Sequence, residues 1–175
     1  MEFYRVGEKL MSRDKLMRAV DRILTLRASG LSQQETAHRI GCDRTLVSRL
    51  EALAEVRKGG ALGVIGFPVA NKDELQAVCD DYGVEFTLLM TDVERIAYVE
   101  RRSGVELLNE IMGIVTHLRD FDTVIMIGSD MRIRLAGALF GDKVVGMQIG
   151  QSPIEEDVRV DSDELVALIA AVRGE

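Results

Sequence analysis

The sequence predicts an α/β protein in two parts: a head of three helices, then a body on a small doubly wound parallel sheet. Three observations carry this. After residue 60, short continuous apolar runs rich in β-branched residues alternate with segments of helical period, the pattern of strand–helix–strand crossovers. Before residue 60 the periodic segments are helical only. Between them lies Gly59-Gly60, a break in the helical pattern and the one clear boundary. The expected domains are residues 1–58 and 61–175.

Taken in order, residues 1–11 are polar-mixed and read as a loose arm carrying Phe3, Tyr4, Leu10 and Met11. A helix follows from Ser12 or Arg13 to Ala28. Its face of Leu16, Val20, Ile23, Leu24 and Arg27 is spaced by three or four, and Ser29-Gly30 ends it. Arg13, Lys15, Arg18 and Arg22 lie on its polar side and read mostly as solvated. From Leu31 to Leu53 the chain reads LSQQETAHRIGCDRTLVSRLEAL. Ser32 with Glu35 is a capping box, which satisfies orphan N–H groups from both sides of a helix start. That helix spans about Gln33–Ile40. Gly41 stops it, because a residue without Cβ turns left-handed at low cost. Cys42 and Asp43 complete the turn, and Asp43 caps a second helix from Arg44. Ala37 lets the two helices cross closely, and Ile40, Val47 and Leu50 supply their apolar contact. The second helix is expected to run on through Val56 and Lys58. This unit is a helix-turn-helix.

In the body, Ala61–Val69 is too continuously apolar for an amphipathic helix and fits a strand buried on both faces. Asn71–Glu74 opens a helix carrying Leu75, Val78 and Cys79. Val84–Met90 is a second strand. Thr91 with Glu94 and Ser103 with Glu106 are two further capping boxes, for helices to about Arg101 and about Arg119. The second of these has a stripe of Leu107, Leu108, Ile111, Met112, Val115 and Leu118. That stripe reads as covered by the sheet, with a subunit interface as the alternative. Thr123–Ile127 is a third strand, Met131–Phe140 a helix and Lys143–Ile149 a fourth strand. Gly150–Val160 is an acidic loop with a short edge strand at Asp157–Val160, and Glu164–Val172 is the last helix. Right-handed crossovers give the strand order second-first-third-fourth, a Rossmann-like layer.

The totals limit the function. A chain of 175 residues suits one domain or two small ones, and 47% hydrophobic residues can fill a core. No apolar run reaches the roughly 18 residues of a membrane span, and the first residues carry charges rather than a signal-peptide core. A cytoplasmic protein with no membrane association is expected. Cys42 and Cys79 have no metal-like spacing, and His38 and His117 are the only histidines, so no metal site is expected. GxGxxG after the first strand, GxxxxGK[ST], GxSxG, HExxH and CxxC are all missing. The sequence therefore predicts no enzyme and no cofactor. Net charge is −7, but it is divided. Residues 1–60 hold 12 Lys+Arg against 8 Asp+Glu, and residues 61–175 hold 10 against 21, giving +4 and −11. A basic head on an acidic body steers a polyanion to one face.

Ala37, Gly41 four residues on, Val47 ten on and Leu50 thirteen on resemble bacterial helix-turn-helix transcriptional regulators of the Xre, Trp-repressor and sigma-factor class. The resemblance covers Leu31–Leu53 and extends to the preceding helix. It implies double-stranded DNA as partner, with Arg44, Thr45, Ser48 and Arg49 facing base edges. Arginine reads guanine O6 and N7, and threonine can touch a thymine methyl. Gln33 and Gln34 open the helix that crosses the backbone and would hold phosphates. One short recognition helix reads few base pairs, so a homodimer is expected. The body would supply dimerisation, sensing of a small-molecule effector, or both. In open α/β sheets ligands sit beyond the carboxyl ends of the strands, where the order reverses. The candidates there are Gly66 and Asn71 after the first strand, and Gly128, Ser129, Asp130 and Arg132 after the third. Gly128 admits close approach. Ser129 and the helix start can hold an anion, with Arg132 or Arg134 adding charge. Asp130 opposes an anion and suits a hydroxyl or ammonium group. Ser129 or Asp130 as a plain helix cap is the competing reading. Two further functions stay open: an adaptor whose head contacts protein, and a small-molecule enzyme with a regulatory DNA-binding head.

Overall fold

In the computed structural model, which describes residues 2–55 and 59–174, the segment expected as a loose arm is a hairpin. Strand β1 (Phe3–Val6) pairs antiparallel with β2 (Lys9–Ser12), Phe3 opposite Ser12 and Val6 opposite Lys9. Gly7-Glu8 is the two-residue turn, with Gly7 at φ +60°, where a tight hairpin wants glycine first. Phe3, Tyr4, Val6, Leu10 and Met11 are all exposed. With neither face covered, the strands lack the alternation that announces a half-buried strand, which is why the arm reading failed. Glu2 ties the hairpin to the next helix, accepting from the Arg13 N–H at 3.0 Å and pairing with its guanidinium.

The chain divides by its contacts into two compact units, Met1–Glu55 and Val56–Glu175. In the first, helix α1 (Arg13–Ala28) is capped by Ser12, and α2 (Gln33–Ile40) starts on the Ser32–Glu35 capping box. Gly41 ends α2 in the left-handed region, φ +78° and ψ 39°. Asp43 accepts from the Thr45 N–H at 2.6 Å and starts α3 (Arg44–Ala54). Glu55 has left the helical region, so α3 stops at Ala54. The expected continuation through Val56 and Lys58 lies outside the described residues. Ile23, Ala37 and Val47 form the buried core, flanked by Ile40, Cys42 and Leu50. So small a core is supplemented by polar ties. Glu51 on α3 pairs with Arg27 on α1 and accepts from Gln33 Nε2 on α2, and Arg27 also donates to the Leu31 carbonyl.

The second unit is an α/β layer. Its order is β3 (Leu62–Gly66), α4 (Lys72–Asp81), β4 (Phe86–Leu89), α5 (Asp92–Glu100), α6 (Gly104–Leu118), β5 (Thr123–Ser129), α7 (Asp130–Phe140), β6 (Val144–Gly150) and α8 (Ser162–Arg173). The four strands are parallel in the order β4-β3-β5-β6, the second-first-third-fourth order expected from the sequence. Central β3 and β5 are buried along their whole lengths, hence their unbroken apolar sequence. Leu62, Val64, Ile125 and Ile127 share one core with α4 and α8 residues, among them Leu75, Cys79, Leu165 and Ile169. Ile65, Val124 and Met126 share the other with Leu118, Phe121 and Ala136. Gly63 keeps that second face open: a Cβ there would sit 2.8 Å from Leu118 Cδ2.

Two expectations change. The edge strand at Asp157–Val160 reduces to a single parallel bridge between Val69 and Val158. The stripe on α6 is not covered by the sheet: of its residues only Leu118 is buried, while Leu108 and Met112 are 59% and 55% exposed. Periodicity finds the apolar face of a helix but not how closely that face approaches its support.

Candidate functional site

Within the first unit, α3 presents Arg44, Thr45, Ser48 and Arg49 to solvent, while Val47 is fully buried behind them. Positions 44, 45, 48 and 49 fall together because residues four apart share a helix face. Among the described residues no carboxylate pairs with Arg44 or Arg49, whereas Arg13 and Arg27 are both paired. Gln33 is half-buried, and both ends of its amide are engaged: it donates to Glu51 and accepts from Arg44 Nε at 3.4 Å. In the free protein Gln33 therefore positions Arg44. Gln34 beside it is exposed.

Three carboxylates support this surface, all held below their ordinary range. Glu35 is lowered by hydrogen bonds from Ser32, Asp43 by hydrogen bonds from the Thr45 side chain and then its N–H, and Glu51 by Arg27 and then Gln33. A carboxylate lowered by folding contributes stability above its unfolded value, and that contribution is lost as pH falls through the folded value. Acidification below about 4.5, the ordinary glutamate value, is therefore expected to destabilise this unit. Glu35→Gln should flatten the profile, because its amide no longer titrates. Thermal melts of both proteins from neutral to acid pH check this; parallel profiles would remove Glu35 as a contributor.

In the second unit the six strand-end candidates separate. Gly66 is hemmed in by its own sheet, a Cβ there meeting Leu89 Cδ2 at 2.8 Å and Ile127 Cβ at 3.1 Å. Asn71 is committed to the backbone of Val160: its Nδ2 donates to the Val160 carbonyl and its Oδ1 accepts from the Val160 N–H, both at 2.9 Å. Ser129 is buried and caps α7, accepting from the Arg132 N–H. Asp130 accepts from the Ser152 N–H at 2.9 Å and pairs with Arg134; the Ser152 bond is the main cause that holds its carboxyl low. Gly128 lies under the Arg132 side chain, 3.4 Å from a Cβ position. Of the six, Arg132 lines the apolar cavity of this unit.

That cavity, about 370 Å³, lies over Ile65, Leu88 and Met126 and is walled by residues of α5, α6 and α7. Ligand sites of small molecules begin at about this size. Its lining is apolar except for Arg95, Arg132 and the Tyr98 hydroxyl. The Arg132 guanidinium stands 5.0 Å from the centre of the Phe67 ring and donates to the Phe67 carbonyl at 3.2 Å. Burial, with Arg95 beside it, pulls the Arg132 guanidinium below the usual arginine range, and Asp92 acts the other way. Arg95 pairs with Asp92 at 2.6 Å. Tyr98 carries Arg102 over its ring at 3.8 Å, and burial, with the Glu110 carboxylate beside its hydroxyl, pushes that hydroxyl above the usual tyrosine range. Arg95 and Tyr98 escape the sequence reading, although Asp92 and Arg95, three apart on the helix after the second strand, are a visible pair at a strand's carboxyl end.

Cys42 and Cys79 are free thiols, and burial pushes that of Cys79 up. Among the described residues no three His, Cys, Asp or Glu side chains gather as a metal site, and no helix is long and apolar enough to cross a membrane. No protein-family model, no curated protein and no solved structure matches this chain.

Proposed function

We propose that this chain is a sequence-specific DNA-binding transcriptional regulator, with α2 and α3 as its helix-turn-helix and the α/β unit as its sensing and dimerisation body. The observation that carries the reading is the exposed Arg44–Thr45–Ser48–Arg49 face at the start of α3, its arginines without carboxylate partners among the described residues and its back pinned by buried Val47. Arginine and threonine or serine are the side chains that read base edges in the major groove. A homodimer would double the contact. The exposed Val105, Leu108 and Met112 of α6 support an interface on the body, since contiguous apolar surface marks an association site.

Selection of duplexes from a random library, at near-physiological salt to suppress nonspecific phosphate binding, tests this reading. The expected product is an inverted repeat with half-sites about one helical turn, or a multiple of it, apart. A head that contacts protein is the second reading, favoured by Leu46 and Leu53, which α3 leaves 52% and 86% exposed. Recovery of no enriched sequence would favour it.

A further inference from the structure

The cavity between the sheet and helices α5–α7 has an apolar body and one charged end. We infer that it binds a small amphipathic monocarboxylate, with the carboxylate at Arg132 and Arg95 and the apolar chain running over Ile65 and Met126 toward Ile111 and Leu139. Charge balance picks the class. Two guanidinium groups line the cavity; Asp92, paired to Arg95, supplies one negative charge, and the neighbouring Asp157 carboxylate is taken up by the positive start of α5, where it accepts from the Asp92 N–H at 2.6 Å. One positive charge is left over at a site of apolar walls, where an uncompensated charge is costly. A single carboxylate cancels it and suits the guanidinium fork. A phosphate dianion would leave an excess negative charge, and an ammonium group would add a second positive one. Size agrees: at roughly 30 Å³ per water-sized group, about 370 Å³ takes on the order of a dozen non-hydrogen atoms. This deepens the regulatory reading by naming its effector class, and it is tested without DNA so that the two stand or fall separately.

The test is calorimetric titration of the full chain with octanoate, and with octanol, the same apolar body without the charge. One octanoate per chain is expected, with octanol at least tenfold weaker. Arg132→Gln should weaken octanoate at least tenfold, about 1.4 kcal/mol, and Ile111→Trp, which fills the cavity but leaves both arginines, should abolish binding. Thermal melts establish that both variants fold, and the octanoate–octanol comparison needs neither. Equal binding of the two probes, absence of octanoate binding, or unchanged affinity in folded Arg132→Gln would overturn the inference. A dimer that seals the cavity and excludes octanoate would assign the groove to a second copy. Lost DNA binding leaves octanoate binding untouched, and lost octanoate binding leaves a regulator without this ligand.

Discussion

Asn71→Ala is expected to lower the stability of the α/β unit by about 2–4 kcal/mol. The side-chain amide of Asn71 matches both hydrogen-bonding groups of Val160 as a neighbouring strand would, donating to its carbonyl and accepting from its N–H. It also donates to Glu74 Oε2 at 3.1 Å. Val160 is only 2% exposed, so its backbone groups have little recourse to water once the amide is gone. Each buried group left unpaired costs roughly 1–3 kcal/mol. Partial solvent access at Asn71 keeps the total below the sum of the upper limits. Asn71→Asp separates the two bonds: it keeps an acceptor for the Val160 N–H but sets a carboxylate against the Val160 carbonyl and Glu74, so it should be no milder than alanine. Urea unfolding checks both, read as a shift of midpoint at constant slope. A shift worth less than about 0.5 kcal/mol, the range of neutral surface changes, would show that water replaces the amide and that the clip stabilises nothing.

Asn71 also illustrates what a sequence can and cannot disclose. Its place after the first strand marks it as a ligand candidate, yet its partner lies 89 residues away and leaves no local trace. Local chemistry was legible. The Ser32–Glu35, Thr91–Glu94 and Ser103–Glu106 capping boxes all form, because each is complete within four residues. The strand order was legible too, since parallel strands with right-handed crossovers leave few topologies. The N-terminal hairpin was not, because its burial pattern is uniformly exposed along β1. Nor was the cavity. Its walls come from three helices and three strands, and its charged end joins Arg132 after β5 to Arg95 in the helix after β4. Periodicity assigns each of those residues to a helix face but not to a common space.

Replacing Arg44 and Arg49 together with alanine should produce the largest functional loss, about 2–6 kcal/mol in affinity for the selected duplex, at roughly 1–3 kcal/mol per lost base contact. The fold should not change. Both side chains are exposed and outside the Ile23–Ala37–Val47 core, and surface changes of this kind usually stay within about 0.5 kcal/mol. Arg44 does touch Gln33, but Gln33 keeps its 2.7 Å bond to Glu51, so the polar tie between α2 and α3 survives. What the loss looks like distinguishes the role of each arginine. An arginine that reads a base costs affinity for the selected sequence and relaxes preference at one position. One that holds a phosphate weakens all sequences alike and lowers the salt slope by about one. Anisotropy titrations of the double variant and both single variants, on selected and scrambled duplexes at two salt concentrations, resolve these outcomes. Unchanged affinity in the folded double variant would take both arginines out of any DNA interface. The exposed Leu46 and Leu53 would then direct attention to a protein partner, because α3 would retain a partly apolar face with no nucleic acid to read.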